Sequence, residues 1–370
     1  MRGFCSVLGF SFLLACSSLK ESSSVGDGGS ESDAASSSSG GSSSGSLGDG
    51  GTPGNVTVET LVTGRTQLGA RSSGTLGHYR TGLAVKGDRI FWVERGSAPG
   101  VYGASSVTPC KDATCVSKLT VLTRPVAFTT NATHLFVADV GTVRRVPLTA
   151  AGTPVDTVAS EGGGEIVNLG VDTTSVFYTV GTASAIRKAA FGGAATTPIT
   201  SNGTPIALGV AGTRVFWAGV DISGQTGLLQ SMNTDGTSPR GLSSFSGGFH
   251  TVAGNGTYAY YATGRPGALH RLALASGRDE IVLSDATLVQ DFAFDNDYAY
   301  WVEAGDPSDY SNGRVRRVAH GSKDAETLAT SLALPVAIAL QGNQVFVATA
   351  GSEAKGYADG SIVRLTIGGN

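Results

Sequence analysis

The chain has 370 residues, of which 54 are glycine, 15% are charged and 40% are hydrophobic. This composition provides apolar side chains for a core and many turn residues, and no long helical pattern interrupts it, so it favours an all-β fold. The net charge is −3, and residues 55–370 contain equal numbers of basic and acidic side chains. A neutral domain lacks the basic surface that binds nucleic acid or acidic lipids, so we expect neither as a partner.

Residues 1–15 have the pattern of a signal peptide. Arg2 precedes a short apolar run that is too short for a permanent membrane span. The run ends in Leu13-Leu14-Ala15-Cys16, which resembles the lipobox of bacterial lipoproteins. The resemblance implies a lipid on Cys16; an ordinary secretory signal is the alternative. Ser17 replaces the aspartate that retains lipoproteins at the inner membrane, which implies the outer membrane with its periplasmic or surface side left open.

For residues 16–54 we predict a lipidated cysteine followed by a disordered tether. The segment consists mostly of serine and glycine and has almost no apolar side chains, so it cannot offset the entropy cost of ordering. Chains of this type behave as random coils with a typical reach of roughly 30–37 Å for this length. We therefore expect the membrane to be contacted through the lipid anchor alone.

Two cysteines remain in the mature domain after Cys5 and Cys16 are assigned to the signal and the anchor. Cys110 and Cys115 form a closely spaced pair in a chain predicted to be exported, which predicts a disulfide that closes a small loop. A metal site is the competing interpretation, but two thiols without nearby histidines are too few ligands for zinc.

Seven copies of a strand with bulky central residues recur from residue 55 to the end. Their central aromatics are spaced by 45, 41, 39, 44, 40 and 46 residues, a period typical of β-propellers. The seven central residues are Phe91, Phe136, Phe177, Phe216, Tyr260, Tyr300 and Phe346. Each unit also has a small-residue inner strand, a third strand and a more polar outer strand. The third strands carry a basic residue in five units, namely Arg145, Arg187, Arg271, Arg317 and Arg364.

The last unit lacks its outer strand, and the missing strand is found at the start of the domain. Residues 58–63 match residues 325–330, the outer strand of the sixth unit. We therefore predict a seven-bladed β-propeller in which the N-terminal strand (57–63) pairs with Ile362–Ile367 and closes the ring.

The repeats resemble the YWTD-type propeller, and TolB-like and NHL-like propellers are comparably similar. Tyr300-Trp301-Val302-Glu303 comes closest to the name motif. In the other units we find its acidic fourth position only as a displaced Glu94. YWTD rings have six blades, whereas seven units are present here. The resemblance implies the fold and transfers no functional residue.

The loops that follow the aromatic strands differ in length, and the long ones predict where a binding surface lies. The segments after the aromatic strands of blades six and seven, around Gly305–Gly313 and Gly351–Gly360, are longer than their counterparts, and we expect the segment of blade one to be extended as well. These blades are neighbours in a closed ring, and long loops on a rigid scaffold are common binding sites. Asp306, Asp309 and Asn312 could bind calcium, with a solvated turn as the alternative.

A second candidate site lies at the mouth of the central channel. The polar residues of the inner strands are Asn168, His250, Thr251, Gln290 and Asp291. They would either line a ligand site or satisfy strand ends, and a single carboxylate is a sparse set for general acid–base chemistry.

Three functions follow from these patterns. We expect a binding or scaffold propeller for a protein or glycan partner, without cofactor or resident metal. A hydrolase or lyase with its site at the channel mouth is the alternative, and a purely structural role is the third.

Overall fold

A computed structural model describes residues 55–68, 82–110, 112–148, 155–162, 164–181, 185–193, 197–200, 204–220, 226–246, 249–263, 267–306 and 310–368. The predicted signal peptide, Cys16 and the tether lie outside these residues, as do Asp309 and the side chain of His250. Within the described ranges, no helix has the length and apolar character needed to cross a bilayer.

The described residues form 28 β-strands, numbered here in chain order. They are β1 (Val56–Arg65), β2 (Leu83–Lys86), β3 (Arg89–Glu94), β4 (Gly100–Ser105), β5 (Ser117–Val121), β6 (Pro125–Thr130), β7 (His134–Asp139), β8 (Thr142–Pro147), β9 (Asp156–Ser160), β10 (Ile166–Val171), β11 (Ser175–Val180), β12 (Ala185–Ala190), β13 (Thr197–Thr200), β14 (Thr204–Ala211), β15 (Arg214–Val220), β16 (Thr226–Asn233), β17 (Arg240–Ser246), β18 (Phe249–Gly254), β19 (Tyr258–Thr263), β20 (Leu269–Ala273), β21 (Asp279–Leu283), β22 (Val289–Phe294), β23 (Tyr298–Glu303), β24 (Gly313–Ala319), β25 (Glu326–Leu332), β26 (Pro335–Gln341), β27 (Gln344–Thr349) and β28 (Gly360–Ile367). Two single-turn 3₁₀ helices, Ala113–Cys115 and Glu353–Lys355, complete the described regular structure.

The strands form seven antiparallel four-stranded sheets, which are the blades of a β-propeller. Blades one to six each use four consecutive strands, from β2–β5 to β22–β25, and blade seven has the order β1-β28-β27-β26. At six of the seven junctions the innermost strands of successive blades lie side by side, and β2 of blade one lies beside β26 of blade seven. Between blades one and two, β6 contacts β3. The predicted fold and number of blades are confirmed.

Each interface between neighbouring blades contains its own hydrophobic cluster. The seven central aromatics of the second strands are at most 4% exposed. They divide among seven clusters, one for each of the seven blade junctions, including one that joins blade seven to blade one. The aromatic repeat is thus the residue pattern that packs one blade against the next, because large buried rings contribute most of the apolar area at such contacts.

The chain closes the ring as the repeat predicts. β1 pairs antiparallel with β28, with Val58 opposite Leu365 and Thr60 opposite Val363. Two register irregularities follow Thr60, and the strand continues to Arg65, slightly beyond the predicted 57–63. Because this pairing joins the first and last strands of the domain, separating the ends requires breaking a whole strand ladder.

The antiparallel blades give the ring two different faces. The inner strands begin at one face, so this face carries the segments between second and third strands and those between blades. We call it the loop face; it includes residues 304–312 and 350–359. The opposite turn face carries the turns between first and second strands and between third and fourth strands.

Basic side chains of the third strands connect neighbouring blades at the turn face. In blade five, Arg271 donates to Glu280 Oε1 on the outer strand at 2.5 Å and to the carbonyl oxygen of Ser322 in blade six at 2.8 Å. The same arrangement recurs in blade two, where Arg145 contacts Asp156 and the Phe191 carbonyl, and in blade seven, where Arg364 contacts Glu59 and the Ser106 carbonyl. In each case one arginine side chain binds both the outer strand of its own blade and a carbonyl oxygen of the next blade.

In blade three, Arg187 lies on the third strand as predicted, but a neighbouring lysine takes the position of the other cations. Lys188, and not Arg187, lies opposite the central Phe177. Lys188 donates to the Thr234 carbonyl oxygen of blade four at 2.8 Å, whereas Arg187 lies with its Nε 3.2 Å from Glu161. The two residues are adjacent, and successive side chains of a strand lie on opposite faces, so only Lys188 is directed to the contact with the next blade. We refer to Arg145, Lys188, Arg271 and Arg364 as the turn-face cations.

The predicted disulfide between Cys110 and Cys115 is confirmed. It closes a loop between the third and fourth strands of blade one, and Cys110 is 8% exposed. The amide of Cys110 donates to the Leu61 carbonyl oxygen of β1 at 2.6 Å. The disulfide loop therefore packs on the strand that closes the ring.

Candidate functional site

The loops of blades six and seven are the longest segments between second and third strands. Residues 304–312 separate β23 from β24, and residues 350–359 separate β27 from β28. The corresponding segment of blade one, 95–99, has the same length as those of blades four and five, 221–225 and 264–268. The expected extension of blade one is therefore wrong, because Glu94 belongs to strand β3 and not to the loop.

A cavity of about 460 Å³ lies between the long loops of blades six and seven on the loop face. Its size falls within the range of small-molecule sites. The lining residues are Tyr310, Ser311, Asn312, Ser331, Leu332, Ala333, Gly351, Ser352, Glu353 and Ala354. Most of these are small or hydroxyl-bearing residues, so the lining contains both hydrogen-bonding groups and apolar surface.

The backbone around this cavity is held in unusual conformations. Tyr310, Asn312 and Ser331 have φ values of 56°, 58° and 59°, in the left-handed region that side chains other than asparagine and glycine seldom adopt. At Gly305, with φ of 90°, a Cβ atom would lie 1.9 Å from the Ser311 carbonyl oxygen. Residues in this region cluster at sites where the fold enforces a conformation, which is common at ligand clamps.

Hydrogen bonds keep the loop of blade seven in place. The amide and hydroxyl of Ser352 donate to the carboxylate of Asp359 at 2.8 and 3.0 Å. Burial alone would raise the pKa of Asp359, but the hydrogen bonds from Ser352 outweigh it and hold this pKa below its ordinary value. A charged Asp359 therefore fixes one wall of the cavity at neutral pH.

The predicted calcium ligands are only partly described. Asp306 and Asn312 are exposed on the loop of blade six, and Asp309 lies outside the described residues. In the part of the chain that the structure describes, no group of three His, Cys, Asp or Glu side chains is arranged to hold a metal. Calcium binding stays a prediction.

Three blades carry a buried carboxylate at the end of the second strand. Glu94, Asp139 and Glu303 occupy equivalent positions and are 2%, 5% and 0% exposed. Glu94 is therefore not displaced, and Asp139 is a further copy that the sequence comparison missed. Glu303 accepts hydrogen bonds from Trp301 Nε1 at 2.8 Å and from Thr287 Oγ1 at 2.9 Å.

In blade two the equivalent carboxylate binds backbone. Asp139 accepts hydrogen bonds from the amides of Thr123 and Arg124 at 2.9 and 2.7 Å. In blades two and six these carboxylates therefore join the segment before the inner strand to the end of the aromatic strand. The buried carboxylate thus fixes the segment that enters the inner strand at the loop face of those two blades.

The polar residues predicted at the channel mouth cluster at one feature of the inner strands. Six inner strands have a register shift at the same point. His250 and Gln290 occupy the extra position of this bulge, and Asn168, Thr251 and Asp291 come directly after it in blades three, five and six. These polar residues therefore recur because they all lie at, or directly after, the same bulge in different blades.

Two of these residues contact the next blade. Asn168 Nδ2 donates to the Ile206 carbonyl oxygen of blade four at 3.2 Å, and Asp291 Oδ2 accepts a hydrogen bond from the Ile338 amide of blade seven at 3.1 Å. Thr251 is 2% exposed, and Gln290 Nε2 donates to the Leu288 carbonyl oxygen at 3.0 Å. A ligand site at the channel mouth stays a prediction, with the amide of Asn168 and the carboxylate of Asp291 engaged between blades.

Comparisons with known proteins find solved structures whose fold is similar to that of this chain. A chain of the hydrazine synthase of Kuenenia stuttgartiensis has a TM-score of 0.59 at 11% identity, over 80% of this chain and 99% of that chain. The nidogen/laminin complex (TM-score 0.47, 19% identity, 59% and 86% covered) and a putative TolB from Agrobacterium tumefaciens (0.48, 14%, 69% and 94%) are also among the similar structures. No protein-family model and no curated protein sequence matches the chain.

These similarities extend no further than the fold. The identities to these structures lie between 11% and 19%, and identities this low carry no functional residue across. The chain is a seven-bladed β-propeller.

Proposed function

We propose that this protein is a lipid-anchored binding propeller of the bacterial cell envelope that captures a protein or glycan partner with the loop face of blades six and seven. The observation that supports this most directly is the cavity of about 460 Å³ between residues 310–312 and 351–354. It is bordered by the two longest loops between second and third strands and by backbone held in left-handed conformations. Preorganised concave sites lose little entropy when a ligand binds.

The point where the tether joins the domain supports the choice of face. The carbonyl oxygen of Asn55 accepts a hydrogen bond from Gly368 at 2.7 Å, and Ile367 donates to the carbonyl oxygen of Asn343, in the turn between β26 and β27. Residue 55 is therefore at the turn face. The predicted tether would thus be attached at the face opposite the proposed binding site, which suits a domain that must reach a partner away from the membrane.

A photo-crosslinking experiment in cells tests the binding face. A photoreactive residue replaces Ala354 at the cavity or, as the matched control, Ala132 on the turn face; both alanines are exposed. We expect crosslinked adducts from position 354 that position 132 does not give. Excess wild-type protein should compete these adducts away, whereas excess Ala354→Trp, with its cavity filled, should not. Adducts from position 132 alone would contradict the proposed face.

The anchor is tested separately. Replacing Cys16 by Ala should release the protein from the membrane fraction and prevent incorporation of a labelled fatty acid, while position 354 keeps its crosslinking ability in a detergent extract. If the wild-type protein associates with the membrane but incorporates no labelled fatty acid, lipidation is disproved. That result would leave the proposed binding face unaffected.

A further inference from the structure

A second cavity lies on the loop face at the junction of blades two and three, far along the ring from the cavity of blades six and seven. Its volume is about 560 Å³. The walls come from the end of β7 and the start of β8 on one side and from residues 161–162 and 164–165, between β9 and β10, on the other. Neither the repeats nor the proposed function accounts for it.

The two walls of this cavity are held rigidly together by backbone. The Glu161 amide donates to the Gly141 carbonyl oxygen at 2.7 Å, and the Ile166 amide donates to the Val140 carbonyl oxygen at 3.0 Å. A Cβ atom at Gly141 would lie 2.7 Å from the Glu161 carbonyl oxygen. Only glycine allows this close approach, so the cavity is formed before any ligand arrives.

The acidic groups of the cavity are already compensated. Glu165 lies 3.4 Å from Arg124, and Glu161 lies 3.2 Å from Arg187 and accepts a hydrogen bond from Tyr178 at 2.8 Å. Asp139, the third carboxylate, accepts the two backbone amides described above.

Arg144 is the basic residue of this cavity that lacks an opposite charge. It lies half-buried on β8, and no hydrogen bond or ion pair joins its guanidinium to any residue in the described ranges, while its Nε is buried. The equivalent residue of blade six is Arg316, opposite Trp301 as Arg144 is opposite Val137, and Arg316 lies 3.6 Å from Glu303. In blade two the shorter Asp139 binds backbone instead. Of the two arginines that line this cavity, Arg124 thus has a carboxylate within ion-pair distance in the described ranges and Arg144 has none.

We propose that this cavity binds a sugar acid, with Arg144 holding its carboxylate. Guanidinium groups bind carboxylates through two parallel hydrogen bonds, and the volume suits one or two sugar rings. The hydroxyl of Thr142 and the carboxylates of Glu161 and Glu165 provide acceptors for sugar hydroxyls. These carboxylates also disfavour ligands of higher negative charge, so a uronate fits better than a phosphate. This site is independent of the one between blades six and seven.

Calorimetric titration of the purified full-length chain tests the proposal with glucuronate, with glucose as the neutral analogue and with inorganic sulfate as the bare anion. We expect glucuronate to bind at least about tenfold more tightly than either, as a charge-assisted hydrogen bond would give. Arg144→Gln should lower its affinity by about the same factor, whereas Arg278→Gln, at a residue whose side chain is 76% exposed on the turn face, should leave it unchanged.

Three outcomes would overturn the proposal: glucuronate bound no better than glucose, sulfate bound more tightly than glucuronate, or Arg144→Gln binding glucuronate as the wild type does. An oligouronate distinguishes the two sources of such a ligand, since tighter binding than the monomer indicates a polysaccharide and equal binding a free sugar acid; both support the site. An unfolding transition like that of the wild type shows that Arg144→Gln is folded.

Discussion

The two faces of the ring are built on different rules. At the turn face, Arg145, Lys188, Arg271 and Arg364 repeat one contact, from the third strand of a blade to a carbonyl oxygen of the next. At the loop face, the junctions differ: loop lengths vary, a buried carboxylate is present in three blades, and the two cavities have different linings. Features that repeat around the ring hold blades together, whereas those that change from blade to blade are candidates for function.

The largest effect should come from the most buried turn-face cation. Arg271→Ala should lower the free energy of unfolding by about 3 kcal/mol, because the side chain is 1% exposed and its loss leaves Glu280 and the Ser322 carbonyl oxygen without their donor. Arg145→Ala should cost about 1 kcal/mol, since water reaches its partner Asp156, which is 56% exposed. Urea unfolding followed by tryptophan fluorescence measures both. Equal losses would show that burial does not set the strength of these contacts.

The disulfide loop should contribute next. Replacing Cys110 and Cys115 together by alanine should destabilise the protein by about 2 kcal/mol, because the unfolded chain loses the constraint of a short closed loop. Reductant should lower the melting temperature of the wild type and leave that of the double variant unchanged. A wild type that is insensitive to reductant would contradict a role for the disulfide at the turn face.

The ion pair of blade five predicts a smaller effect that depends on pH. The hydrogen bond from Arg271 lowers the pKa of Glu280 below its ordinary value of 4.5. A lowered carboxylate pKa stabilises the folded state above pH 4.5, and this contribution is lost as the pH falls through the folded-state pKa. Glu280→Gln should therefore be less stable than the wild type at neutral pH, with the difference disappearing in acid. Denaturant unfolding over a pH series measures it, and a difference independent of pH would contradict the ion pair.

The smallest effect is expected at the loop face. Arg144→Leu should change the free energy of unfolding by no more than about 0.5 kcal/mol, because this guanidinium has no partner in the described structure to lose. Arg316→Leu is the matched control at the equivalent position of blade six; it should cost about 3 kcal/mol by leaving the buried Glu303 without its cation. Similar losses in both variants would mean that Arg144 has a structural role.

Much of the fold could be predicted because its signals are local. The aromatic spacing, the missing outer strand of the last unit and the cysteine pair led to seven blades, to closure by β1 and to the disulfide, and all three are confirmed. The sites could be predicted less well. Asp139, Tyr310 and Ser331 gave no signal, since neither burial of a carboxylate nor a left-handed backbone at a tyrosine or serine follows from residue type.

The amino-acid sequence alone determined the number of sheets and the partner of each strand, because hydrophobic alternation and period are properties of neighbouring residues in the chain. Only the tertiary structure decided which side chains meet across blades. The step from Arg187 to Lys188 changes the face of the strand, and the extra residue of each inner-strand bulge directs Asn168 and Asp291 to the next blade. Register and bulges set these directions, and both depend on long-range pairing.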